Sequence, residues 1–156
     1  MTIKPYSDDE LDELRSMRKR VTNPGARWVT KPGHRQRNFK LSGLDGGDAV
    51  HFEVYQRQNE SDENDFSCGI SYIPIGGRRL TLARYNGPSH PHGDIDYLPH
   101  IHRATASAIA ARKKPETEAD ETNRFTTLDG ALRCLIQDFR LEGIAMPDPD
   151  EPKLAL

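Results

Sequence analysis

Val50-His51-Phe52-Glu53-Val54-Tyr55 is the stretch that decides how this chain is read: Val50, Phe52 and Val54 alternate with His51, Glu53 and Tyr55. A period of two puts one set of side chains on each side of an extended strand, so this is a strand with one buried face. Working outward, a polar run from Gln58 to Asp65 reads as a loop, and alternation resumes at Phe66, Cys68, Ile70 and Tyr72. Ile75-Gly76-Gly77-Arg78 is a tight turn into a further strand led by Leu80 and Leu82 and ending near Tyr85. Upstream, Leu44-Asp45-Gly46-Gly47-Asp48 is another turn, and strand-like Arg27–Lys31 and Arg37–Leu41 flank Lys31-Pro32-Gly33. Short connections between successive strands predict an antiparallel β-meander of about five strands.

Helical spacing brackets this meander. Ser7 and Glu10 form a capping box, and Leu11, Leu14, Met17 and Val21 recur on one helix face. This predicts an N-terminal helix with Arg18-Lys19-Arg20 in its last turn and Asn23-Pro24-Gly25 as its stop. Near the other end, Thr126 or Thr127 caps a helix carrying Leu128, Ala131, Leu132, Leu135, Ile136 and Phe139, with Gly143 fitting its C-terminal cap. The alanine-rich 104–114 stretch is compatible with helix, and 115–123 reads as polar and exposed. The expected class is therefore α+β: a five-strand meander with an N-terminal and a C-terminal helix on one face, leaving the other face, or the rim where the histidine-rich loop emerges, for a partner.

The 156 residues suit one domain, expected over 1–144, with an acidic, proline-rich and disordered tail over 145–156. No run approaches the ~20 apolar residues of a membrane helix, and the first residues lack an apolar export core. Cys68 and Cys134 lie apart within apolar patterns and read as reduced core thiols, which suits the cytoplasm. No P-loop, dinucleotide fingerprint, zinc-finger spacing or helix-turn-helix pattern is present.

The net charge of −2 conceals an asymmetry: from Leu14 to Leu44 there are nine Lys or Arg and no acid. A block of this kind contacts phosphate backbones or an acidic partner, or is simply a solvated face. Arg18, Lys19, Arg20, Arg35 and Arg37 are its candidate nucleic-acid contacts, with Arg103 further along. Trp28, the single tryptophan, is either a core residue or a stacking platform.

The chemistry-bearing segment runs from Arg84 to Arg103, where four of the six histidines fall between His90 and His102. If His100-Ile101-His102 is extended, both imidazoles project to one side and Ile101 to the other. His90, His92, Asp94 and Asp96 lie in a Gly/Pro-rich loop able to fold over them. Three uses fit. Two imidazoles can act as general base and general acid, because histidine titrates near neutrality, with Arg84 or Arg103 on a phosphate. Imidazoles and a carboxylate can instead hold a metal. Or the loop is a turn capped by Asp94 and the histidines make structural hydrogen bonds. The first names His100, His102, His90, Arg84 and Asp94 as catalytic residues and requires no metal or other cofactor.

Leu82-Ala83-Arg84-Tyr85-Asn86, His90-Pro91-His92-Gly93-Asp94-Ile95, His100-Ile101-His102, Arg124-Phe125-Thr126-Thr127-Leu128 and Asp138-Phe139 together carry a resemblance. Over roughly Phe39 to Phe139 the chain resembles small bacterial proteins of mobile elements and toxin–antitoxin-like gene pairs, distantly the TumE-like toxins. The resemblance implies a toxin acting on RNA or on translation, with a cognate antitoxin or other protein as partner. The chain departs from that pattern at Tyr85, where an acid is usual, and in its Pro91-His92-Gly93-Asp94 order. A non-enzymatic binding module and a metal-dependent hydrolase are the competing expectations.

Overall fold

A computed structural model describes residues 4–44, 50–89 and 97–148. The elements in order are α1 (Asp8–Ser16), β1 (Lys19–Val21), β2 (Val29–Lys31), β3 (His34–Gly43), β4 (His51–Asn59), β5 (Phe66–Ile73), β6 (Leu80–Asn86), β7 (His100–Arg103), α2 (Ala106–Ala110), β8 (Glu118–Glu121), α3 (Leu128–Asp138) and β9 (Leu141–Glu142). Among the described residues there are nine strands in one sheet, ordered β8-β7-β6-β5-β4-β3-β1-β9, with β2 also paired to β3.

This overturns the expected five-strand antiparallel meander with two helices. The sheet is mixed, because β1 and β9 run parallel, and it curls into a half-barrel. The extra strands are short ones that periodicity cannot reveal. Lys19–Val21, expected as helix, is β1: α1 ends at Ser16 because Met17 turns extended, and Lys19 pairs with Gly43. Gly43 leaves room for this, since a Cβ there would stand 2.5 Å from Met17 Sδ. Glu118–Glu121, expected as exposed loop, pairs antiparallel with β7. After α3, Arg140 takes a left-handed conformation (φ 55°) and turns Leu141–Glu142 alongside β1, so Gly143 is not the helix cap. The alanine-rich segment is helical only over Ala106–Ala110.

One side of the sheet is the core. Phe39 lies opposite Val54, Val54 opposite Ile70, Ile70 opposite Ala83, and Tyr85 opposite Ile101. Leu11 of α1 and Leu128, Ala131, Leu132 and Leu135 of α3 join this cluster. The capping residues act as anticipated: the Ser7/Glu10 box closes α1, and the Thr127 hydroxyl accepts from Gly130 N at the start of α3.

Lys19 alternates with Arg20 and so points into the core, where it is fully buried. Its ammonium donates to the carbonyls of Arg15, Met17 and Phe139 at 3.2, 2.6 and 2.9 Å, tying the ends of α1 and α3 together. It also lies over the Phe52 and Phe139 rings, at 4.7 and 5.6 Å. Burial, assisted by Arg140, pushes its pKa down to about 7. Lys19 is therefore an internal clasp, and it cannot serve as the nucleic-acid contact expected of it.

Candidate active site

Strand register assembles the candidate site from two adjacent rows on the sheet face away from the core. In one row, Tyr55 lies opposite Gly69, Gly69 opposite Arg84, and Arg84 opposite His102. In the next, Arg57 lies opposite Ser67, Ser67 opposite Asn86, and Asn86 opposite His100. Residues directly opposite one another on a sheet have Cβ atoms about 5 Å apart, so the two rows form a strip of polar side chains broken at Gly69. Position 69 must lack a side chain: a Cβ there would meet the Tyr55 ring at 2.5 Å. The ring lies in that gap, and its hydroxyl is 2.8 Å from Ser67 Oγ, which donates to Asn86 Oδ1 at 2.7 Å. Because the Ser67 hydrogen is committed to Asn86, Tyr55 is the donor in its own bond. Burial raises the Tyr55 pKa, so the phenol keeps that hydrogen.

The two histidines that the H-x-H spacing paired are brought together. Their ring centres are 5.0 Å apart at an interplanar angle of 65°. His100 Nδ1 lies 3.0 Å from the Leu98 carbonyl and His102 Nδ1 lies 3.1 Å from the Glu116 carbonyl. A carbonyl only accepts, so each Nδ1 carries the hydrogen, and Nε2 is the basic atom of each neutral ring. Both side chains are buried, at 4% and 2% exposure, yet both line a cleft of about 540 Å³. Its other walls include His34, Arg57, Asn59, Asp65 and Ser89.

Arg84 stands beside them in the same cleft. Its Nε is buried and lies 3.4 Å from Glu116 Oε2, an ion-pair contact without hydrogen-bond geometry. Glu116 is itself buried, and it serves the site twice, through its carboxylate to Arg84 and its carbonyl to His102. Arg57 and Arg84 supply fixed positive charge to the cleft, and among the described residues Asp65 is its single carboxylate. Asn59 and Ser89 donate to Asp65, at 3.2 and 3.3 Å. An arrangement with two tautomerically fixed imidazoles beside a guanidinium can accept a proton, donate one, and stabilise an anion between.

Other expected site residues lie elsewhere. His90 and Asp94 fall outside the described residues. Arg103 projects to the opposite side of β7 and lines a second cleft with Tyr85 and Asp138. Arg18 and Arg20 are exposed and face Glu142, at 3.9 and 3.3 Å. Arg35 and Arg37 are on the core side of β3, where each donates twice to a glutamine of β4, Gln58 and Gln56 respectively. Both guanidinium groups also stack on Trp28, at 4.1 and 4.8 Å. The basic block is thus distributed over both sides of the sheet rather than forming one surface. His51 is exposed and does not join the cleft.

Tyr55, Ser67, Asn86 and Glu116 were not apparent as site residues in the sequence. Tyr55 and Ser67 were visible only as the polar half of strand alternation, Asn86 only as a member of the Arg84–Arg103 segment, and Glu116 lies in a segment whose composition reads as solvated. Among the described residues no three His, Cys, Asp or Glu side chains are grouped to hold a metal ion. No described helix is long and apolar enough to cross a membrane. Comparison of the chain with protein families, with curated proteins and with solved structures finds no match.

Proposed function

We propose that this protein is a small toxin-like ribonuclease acting by histidine acid–base catalysis without a metal. One observation supports it above the others: two imidazoles with fixed tautomers stand side by side, next to a partly unsatisfied arginine, in a cleft that Arg57 and Arg84 line. In the proposed reaction, Nε2 of one histidine removes the proton of a ribose 2′-hydroxyl as that oxygen bonds to the adjacent phosphorus. The bond from phosphorus to the 5′-oxygen breaks, and the second histidine, protonated at Nε2, gives its proton to that leaving oxygen. The products are a 2′,3′-cyclic phosphate and a free 5′-hydroxyl, and the histidines exchange protonation states. Arg84 holds the phosphoryl oxygens through the step. A cytoplasmic site of action and control by a cognate protein antitoxin belong to the same proposal.

The test is cleavage of RNA by the purified protein, and growth inhibition on expression, for wild type, His100→Ala and His102→Ala. Each variant should lose at least ~100-fold in cleavage, within the range supplied by a positioned acid or base. Urea unfolding of each variant separates lost chemistry from lost folding. If both variants fold and both still cleave RNA and arrest growth, this mechanism is wrong.

A further inference from the structure

The burial of the two histidines limits what form of RNA could reach them. We infer, resting on the reading above, that the cleft takes single-stranded RNA with one base unstacked onto Tyr97, and excludes duplex.

His100 and His102 are only 4% and 2% exposed, so a reacting phosphate must descend to the cleft floor. In an A-form duplex the phosphates lie on the rim of a wide, stiff cylinder that proteins read across its shallow groove. Such a cylinder cannot enter a cleft of about 540 Å³. That volume is within the ~300–1,000 Å³ typical of small-molecule sites, roughly enough for one or two nucleotide units. A single strand can thread a phosphate inward, provided that its bases give up stacking on one another.

Tyr97, outside the residues that line the cleft but close in sequence to His100, is the proposed replacement surface. It is 60% exposed, and its backbone is left-handed (φ 49°), a conformation that bulky residues rarely adopt. It sits three residues before His100, and the intervening Leu98 supplies the carbonyl that orients that imidazole. A base stacked on Tyr97 would therefore be anchored by the same short stretch of backbone that sets His100. Stacking on an aromatic ring is indifferent to base identity, because every base has a π-face. The expected preference is for strandedness rather than sequence.

The experiment measures fluorescence anisotropy of a labelled 12-nucleotide RNA, single-stranded or annealed to its complement, at fixed low salt. Wild type should bind the single strand at least ~10-fold more tightly than the duplex. Tyr97→Phe should match wild type, and Tyr97→Ala should weaken single-strand binding by about 5- to 100-fold, the range for one stacked base. Equal affinity for both RNA forms, failure to bind either, or a Tyr97→Ala variant that binds the single strand like wild type would overturn the inference. Selective single-strand binding without cleavage would refute the ribonuclease reading alone. Histidine-dependent cleavage of duplex and single strand at equal rates would refute this inference alone.

Discussion

Lys19→Met isolates the energetics of the buried clasp. The ammonium is fully enclosed, with its pKa pushed down to about 7 from 10.5, burial being the larger cause and Arg140 the smaller. A folded-state pKa below the unfolded one means that between these values the unfolded chain holds a proton that the native protein has released. Stability therefore rises with pH across that window. For one group with pKa values of 7 and 10.5, linkage gives a rise of up to about 3 kcal/mol between pH 6.5 and pH 9.5. The three carbonyl acceptors favour the charged form and hold the rise below that limit. Methionine has similar length and no charge, so it removes the slope. At pH 6.5 it also leaves the carbonyls of Arg15, Met17 and Phe139 without their shared donor. Each buried carbonyl left so costs about 1–3 kcal/mol, against the relief of a desolvated charge worth several, so the two terms largely cancel. The diagnostic is the slope. Urea unfolding of both proteins from pH 6.5 to 9.5 should give a stability difference, wild type minus variant, that grows with pH. Parallel stability profiles would show that the ammonium is not desolvated as placed, and the clasp argument would fall.

Gly69→Ala should destabilise by about 1–3 kcal/mol, the usual cost of overpacking, because its Cβ would meet the Tyr55 ring at 2.5 Å. Urea unfolding measures this, and loss of RNA cleavage should accompany it if the Tyr55–Ser67–Asn86 chain positions the cleft. Asp138 accepts two hydrogen bonds from Arg124, each 2.8 Å, and one from the buried Tyr85 hydroxyl. Burial alone would raise its pKa, but these bonds and the Arg124 charge bring it below the usual 3.8. Its contribution to stability is thus present above that value and lost as pH falls through the folded pKa. Asp138→Asn should be destabilised by about 1–3 kcal/mol at pH 7 and show less loss toward pH 3, read by thermal unfolding across that range.

Apart from Arg84, His100 and His102, both rows of the candidate site consist of positions that are ordinary on paper. Alternation at Phe52, Val54, Cys68 and Ile70 identified the central strands and, by exclusion, the polar set facing away. It could not tell which polar residues would be neighbours, because register depends on turn geometry and on a bulge between Ile70 and Ser71. The basic charge of Arg18-Lys19-Arg20 suits a helix end, yet Lys19 and Arg20 belong to a strand. Its fate depends on Gly43, more than twenty residues away, and on carbonyls from two helices.

The order of residues by itself determined the central alternating strands, the capped starts of the first and last long helices, and the projection of His100 and His102 to one side. These are local outcomes, governed by side-chain period and by backbone groups within a turn or two. Long-range packing is what makes a sheet of nine strands among the described residues, turns Lys19 inward, and sets Glu116 to brace Arg84 while its carbonyl orients His102. Those outcomes depend on which distant segments meet. That is set by the packing of one shared core and by satisfaction of buried polar groups, neither of which any short stretch of sequence contains.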